Sequence, residues 1–394
     1  MMKKLPLPKG FSAAGVSAGI KKKKGKDMAM LVSAVPAVSA AVFTTNQVQA
    51  APVKWDIRIV EQQTARAIVM NSGNANACTG AQGMADAEAM AALTAGRLGA
   101  RAEEIFVCST GTIGKPLPMD KIAGGIAKLF TGLSPENGMH AAEAMLTTDL
   151  ITKTVTKEII ISGKPVRLTG LAKGSGMIEP NMATMLAFIL TDAAVEKACF
   201  QCALRDAADL SFNRITVDGD RSTNDSVICL ANGLAGNEKL TRKSGSWTLF
   251  CETLNQILFD LAMMIVKDGE GATRVVTIHV RGAASDGEAN EAARAVANSM
   301  LNKTAWAGVR PNWGRIADAL GYSHAQVQEN KIDIDYDDVP AVRGGTAAGT
   351  PEKQLVAAVS KEAFTINVNL NLGSGSATVY TCNCTEEYVR INFE

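Results

Sequence analysis

Short apolar runs alternate with longer amphipathic stretches along the chain, which predicts strands interleaved with helices. Ala29-Met30-Leu31-Val32 and Ala40-Ala41-Val42-Phe43 read as buried strands on either side of Pro36. Ala67-Ile68-Val69-Met70 is a third, running into the turn-rich Asn71-Ser72-Gly73-Asn74-Ala75-Asn76. Ile105-Phe106-Val107-Cys108 is a fourth, emptying into Ser109-Thr110-Gly111-Thr112-Ile113-Gly114. Helical spacing covers about 85–98, with Asp86 near its start, then 120–130 and 136–146. Residues 154–161 and 166–169 flank Ser162-Gly163-Lys164-Pro165, a hairpin signal. In the second half, 197–210 and 253–266 are amphipathic helices and 275–280 is a strand. Asp286 is expected to cap a helix through about Asn302. Phe364, Ile366, Val368, Leu370 and Leu372 alternate with Thr365, Asn367, Asn369 and Asn371, the pattern of a half-buried strand. Antiparallel hairpins mixed with helices predict a layered α/β fold rather than a doubly wound sheet.

Composition narrows the function classes. A chain of 394 residues is long enough for two or three compact lobes with a sizeable core. Charged residues make up 20%, which excludes a disordered, charge-rich chain. Forty basic against 39 acidic side chains give a net charge of +1 and no general attraction for a polyanion, so no nucleic-acid partner is expected. Aromatics at 5% are too sparse for base-stacking platforms. Three histidines disfavour a His-rich metal site, and 35 glycines predict tight turns and backbone-lined sites. Lys21, Lys22, Lys23, Lys24 and Lys26 precede a charge-free stretch, but a glycine- and proline-rich 1–27 region is no secretory leader. Pro36 and Thr44-Thr45-Asn46-Gln47 interrupt any membrane helix, so the lysine run reads as a solvated turn between strands. No membrane partner is expected, and the expected location is cytoplasmic. Cys199-Phe200-Gln201-Cys202 has zinc-ligand spacing yet lies in a helical segment, so the eight cysteines read as free thiols in a reducing compartment.

Several familiar motifs fail. Gly111-Thr112-Ile113-Gly114-Lys115-Pro116 is too short for a phosphate loop and has proline where a metal-binding hydroxyl belongs. Gly174-Ser175-Gly176-Met177-Ile178-Glu179 lacks the last glycine of a dinucleotide fingerprint. Gly15-Val16-Ser17-Ala18-Gly19 lacks the strand-to-helix setting of a nucleophile elbow. His140, His279 and His324 read as ordinary surface or half-buried residues, which argues against a Ser-His-Asp hydrolase. Lys173 to Phe188 remains: glycines and a proline leading into an apolar strand that opens at Thr184. A strand-opening threonine is unremarkable by itself. It becomes a nucleophile without any histidine if it is N-terminal, because its own α-amine, with a pKa near 8, then serves as the base.

That segment resembles the autoprocessing site of the ornithine acetyltransferase family, the bifunctional glutamate N-acetyltransferases. Similar blocks run through most of the chain. They include Val42 to Asn46, Asn71 to Gly80, Ser109 to Gly114, Thr147-Thr148-Asp149, Val217 to Asp220 and Ser222 to Asp225. Asp268 to Thr273, Pro311 to Ile316 and Tyr388 to Asn392 complete the series. The resemblance implies an αββα-type sandwich of the N-terminal-nucleophile kind with mixed and antiparallel strands. It implies self-cleavage between Ala183 and Thr184, giving an α chain of 1–183 and a β chain of 184–394 in an α2β2 heterotetramer. Thr184 would carry acetyl from N-acetylornithine to glutamate as an ester, without a dissociable cofactor or metal, in arginine biosynthesis. Whether acetyl-CoA serves as a second donor stays open.

The same resemblance assigns the other residues. Thr110 and the Gly111 N–H would form the oxyanion hole, and Thr147, Lys173, Thr184, Glu270 and Asn392 would bind substrate. Charge complementarity, rather than the resemblance, suggests Lys173 for the α-carboxylate and Glu270 for the side-chain ammonium of ornithine. Family chains usually continue past the Ile-Asn step to a terminal hydroxyl residue, whereas this sequence stops at Phe393-Glu394; Arg310 stands where an acidic residue is common. The alternatives are a related self-processing aminopeptidase or amidohydrolase, in which water takes the acyl group, and a non-catalytic amino-acid-binding protein.

Overall fold

The computed structural model describes residues 4–22, 24–179 and 185–393. The chain divides into two compact units. The first comprises 1–174, 180–213 and 221–265; the second comprises 175–179, 214–220 and 266–394. These units do not follow the 183/184 junction, because segments on both sides of it build the first.

In the first unit the strands are β1 (Phe11–Val16), β2 (Met28–Phe43), β3 (Ala65–Asn74), β4 (Ile105–Thr112), β5 (Lys153–Ile161), β6 (Lys164–Lys173), β7 (Leu186–Thr191) and β8 (Ser226–Ala231). The helices are α1 (Ala51–Val60), α2 (Gly80–Leu98), α3 (Met119–Thr131), α4 (Gly138–Met145), α5 (Lys197–Leu210) and most of α6 (Trp247–Lys267). The sheet order is β4-β3-β2-β8-β7-β6-β5, with β1 also paired to β2. The two apolar runs expected to be separate strands are one strand, β2. Its first half pairs with β3 and its second with β8, and Pro36 sits at the irregular step between Val32 and Ala37. A proline is tolerated there because its missing N–H breaks no ladder bond.

Helix α2 starts at Gly80, earlier than its apolar pattern indicates. Its first turn is glycine-rich and is held by Asn76, which donates to the Gly83 carbonyl (2.9 Å) and accepts from the Thr79 hydroxyl (2.7 Å). From Ala87 the buried face runs through Met90, Ala91, Thr94 and Ala95 at helical spacing. That face joins a core containing Met30, Val69, Phe106, Ile126, Phe188 and Ile228. Among the described residues, α6 is the one helix long and apolar enough to cross a membrane. Its Leu254, Ile257, Leu258, Leu261 and Ala262 are fully buried, which makes it a core helix here.

The second unit has β9 (Val275–Ala283), β10 (Asp333–Tyr336), β11 (Val339–Arg343), β12 (Thr346–Ala347), β13 (Ala363–Asn369) and β14 (Gly375–Cys382) in the order β12-β11-β10-β13-β9-β14. Its helices are α7 (Asp286–Asn298), α8 (Met300–Ala307), α9 (Trp313–Tyr322), α10 (Glu352–Val359) and α11 (Glu386–Ile391). Parallel β9–β13 pairing beside antiparallel neighbours makes the sheet mixed, as the α/β expectation requires. Two details differ from the sequence reading. Ser285, not Asp286, caps α7, its hydroxyl accepting the Glu288 N–H at 3.2 Å. The helix expected to reach Asn302 breaks at Ser299, whose side chain starts α8 by accepting the Asn302 N–H.

Candidate active site

β3 and β4 run parallel, with Gly73 opposite Gly111. A Cβ on Gly111 would lie 2.4 Å from the Gly73 carbonyl carbon and 2.6 Å from the Asn74 nitrogen, and its φ is +131°. Only glycine fits there, so the Thr110–Gly111 backbone is fixed by its neighbour. Behind it, Ser109 donates to Asn71 (2.7 Å), and Asn224 donates to the carbonyls of Ala75 (2.6 Å) and Ser109 (2.9 Å). Asn224 is buried. Its amide therefore ties the segment that follows β3 to the end of β4 that carries the expected oxyanion hole.

Lys173 closes β6 and is itself buried. Its ammonium donates to the Thr110 hydroxyl at 3.3 Å, so two residues expected to share a site are in contact. Asp149 accepts from the Lys153 ammonium (2.7 Å), the Gly174 N–H (2.6 Å) and the Thr147 N–H (3.0 Å). Both charged side chains of the Asp149–Lys153 pair are fully buried. The lysine run is more than a solvated turn. The Asp27 carboxylate gathers the N–H groups of Ala18, Ile20 and Lys21, and Lys21 packs over Gly73. Burial lowers the Lys21 pKa; Asp27 opposes that shift and Lys173 adds to it.

Burial alone would raise the Asp149 carboxyl. The Lys173 and Lys153 ammoniums, helped by the Thr147 N–H, outweigh it and hold the group well below the usual carboxylate range. A depressed folded pKa stabilises the protein above the unfolded value of about 4, and that contribution fades as pH falls through the folded one. The melting midpoint of the wild type should therefore drop steeply with acid below about pH 4. Asp149→Asn should start from a lower midpoint at neutral pH and show a flatter acid limb. Superimposable acid limbs in thermal melts would remove Asp149 from this role.

The second unit holds Glu270 and Asn392. Glu270 sits in the loop between α6 and β9, and its N–H donates to the Ser175 carbonyl at 2.9 Å. The Asn392 amide donates to the Glu270 carboxylate at 2.6 Å, which brings this expected pair together. Asp218 accepts the N–H groups of Met177 (2.6 Å) and Ile178 (2.8 Å) and the Tyr388 hydroxyl (3.3 Å). Burial first, then the Asp218 charge, pushes the Tyr388 phenol up, which keeps it a donor. Glu179 accepts from Asn298 at 2.6 Å and pairs with Arg294 at 3.4 Å. Residues 175–179 are thus held by the Asp218 carboxylate, by Asn298 and Arg294 of α7, and by the Glu270 backbone N–H. Beside them lies a cavity of about 10 Å³, lined by Asp218, Glu270, Lys303, Asn383, Cys384 and Tyr388 among others, with room for about one water. Ala183 and Thr184 lie outside the described residues. The strand expected to open at Thr184 begins at Leu186.

The model of the ArgJ family matches residues 12–394. The chain belongs to the ArgJ family. The arginine biosynthesis bifunctional protein ArgJ of Geobacter sulfurreducens is 49% identical over 385 residues, covering 98% of both chains. The protein of that name from Symbiobacterium thermophilum is 47% identical over 387 residues, covering 98% of this chain and 96% of the other. A crystal structure of arginine biosynthesis bifunctional protein ArgJ from Bacillus halodurans is 42% identical, covers 53% of this chain and 99% of that one, and has a TM-score of 0.51.

In this member of the ArgJ family, Thr110, Gly111, Thr147 and Lys173 lie in the first unit, and Glu270 and Asn392 in the second. Sequence reasoning gave no role to Asp149, Asn224 or Asp218, although each sits in a block that carried the resemblance. An Asp or Asn that bonds backbone N–H and C=O groups, buried like Asn224 or half-buried like Asp218, leaves no periodic signal. The eight cysteines are free, with Cys108, Cys199, Cys229 and Cys382 buried.

Proposed function

We propose that this chain is a self-processing acetyltransferase of arginine biosynthesis that moves acetyl from N-acetylornithine to glutamate. The observation that carries the reading is the ArgJ family match across residues 12–394. The Lys173–Thr110 contact and the Asn392–Glu270 bond support it from the side of the geometry.

In the first stage the Thr184 hydroxyl attacks the Ala183 carbonyl. The peptide C–N bond breaks, an ester forms, and the Thr184 nitrogen takes a proton to become a free amine. Water then hydrolyses the ester, leaving an Ala183 carboxylate and a restored hydroxyl. In the second stage the Thr184 amine draws the proton from its own hydroxyl as the oxygen attacks the acetyl carbon of N-acetylornithine. The tetrahedral oxyanion takes hydrogen bonds from the Thr110 hydroxyl and the Gly111 N–H, where one such donor is worth about 3–4 kcal/mol. Collapse breaks the amide, the proton passes to the leaving amine, and ornithine departs from an acetyl-threonine ester. The glutamate amine attacks that ester through the same steps in reverse.

Within the first unit Lys173 and Thr147 are assigned to a substrate carboxylate, and within the second Glu270 and Asn392 to a substrate ammonium. No cofactor or metal is required, and acetyl-CoA would enter as an alternative donor to the same hydroxyl. The assembly is taken as α2β2 and the compartment as the cytoplasm, where eight free thiols are stable. The test is an assay of N-acetylornithine with glutamate or water as acceptor. N-acetylglutamate formed much faster than acetate supports the transferase; acetate alone would make the chain an amidohydrolase.

Cleavage should leave the two fragments associated. β7 lies between β6, from the 1–183 side, and β8, from the 184–394 side, with six residue pairs to β6. Gel filtration without denaturant should return both fragments in one peak, with separation only on unfolding. Fragments that part under native conditions would contradict this.

A further inference from the structure

Resting on that functional reading, we propose that Asp149 is a positioning residue for acetyl transfer, fixing both Lys173 and the Thr147 backbone through one buried carboxylate. Its Oδ1 accepts the Gly174 N–H at 2.6 Å, immediately after Lys173, and the Lys153 ammonium at 2.7 Å. Its Oδ2 accepts the Thr147 N–H at 3.0 Å. Lys173 in turn reaches Thr110 at 3.3 Å. One carboxylate therefore ties the chain at Thr147 to the chain beside Lys173, and through Lys173 to the strand that carries Thr110 and Gly111. The Asp149 side chain is fully buried and cannot exchange these partners for water. Its charge offsets part of that of the Lys153 and Lys173 ammoniums, and Asp27 does the same beside Lys21.

The competing explanation is that Asp149 serves only as counter-ion to the buried Lys153. Pairing Asp149→Asn with Lys153→Met separates the two, because the double variant removes the orphaned ammonium along with the charge that balanced it. The melting midpoint should recover relative to Asp149→Asn alone. On the positioning account, kcat/KM for N-acetylornithine stays about 10²-fold below wild type, the expected effect of displacing a group by about 1 Å. KM should rise through Lys173 and kcat fall through Thr110. A stable double variant with wild-type kcat and KM overturns the assignment.

Should the double variant fail to fold, Asp149→Glu replaces it, keeping the charge on Lys153 while moving the oxygens by one methylene. A normal midpoint with kcat/KM at least about 10-fold down supports positioning; normal kinetics overturn it. Wild-type protein is measured alongside. If it neither cuts nor transfers, the functional reading falls and takes this assignment with it. If it does both and the variants match it, the assignment alone fails.

Discussion

Thr184→Ala is expected to leave one uncut polypeptide and to abolish acetyl transfer, a loss of about 10⁴-fold or more. Alanine offers no hydroxyl to attack the Ala183 carbonyl, so the amine that would act as base is never released. Met185, the next residue in the chain, is buried, and its carbonyl accepts the Ser226 N–H at 3.0 Å. The substitution therefore abuts an anchored strand and should not unfold the protein. Thr184→Ser keeps the hydroxyl and should both cut and turn over, at a reduced rate. Denaturing electrophoresis and a two-substrate assay read both outcomes. A Thr184→Ala chain that still splits before residue 184 would contradict the nucleophile assignment.

Gly111→Ala should have the next largest effect, on stability and rate together. The added methyl would press on backbone rather than on a yielding side chain, at 2.4 Å from Gly73 and 2.6 Å from Asn74, with φ at +131°. Overpacking and left-handed strain together should cost about 3 kcal/mol. Any folded fraction would hold the residue 111 N–H out of line, and kcat should fall about 10²–10³-fold. Denaturant titration and steady-state kinetics check the two parts separately. Wild-type kcat in a folded variant would remove this N–H from the oxyanion hole.

The strand cores were legible because their apolar runs are bounded by turn residues, and β13 displays its alternation openly. The continuity of β2 was not, since Pro36 looks like a breaker and falls where the strand changes partners. The early start of α2 was hidden because Asn76, rather than apolar periodicity, holds its first turn. Helix 286–302 looked continuous because Ser299 both ends α7 and begins α8.

At the site, Lys173 and Glu270 were reachable only through resemblance, because a charged side chain beside glycines reads as solvated, and so was Asn392, a polar residue at a helix end. Their partners are set by the fold. Lys173 meets Thr110 across 63 positions, and Asn392 meets Glu270 across 122. Asp149 and Lys153 have the i,i+4 spacing of a surface pair, yet both are fully buried. Burial turns that ordinary spacing into a structural centre, and no local pattern announces it. The 183/184 junction likewise says nothing about the compact units, since β7 and β8, which follow it, lie in one sheet with β2 to β6, which precede it.

The most direct test is the mass of the purified protein under denaturing conditions, before and after incubation with N-acetylornithine in the absence of glutamate. The account predicts two fragments, one beginning at Thr184, and that fragment alone heavier by one acetyl group, which glutamate then removes. A single chain of 394 residues, or a Thr184 fragment that never acquires acetyl while N-acetylornithine is consumed, would contradict it.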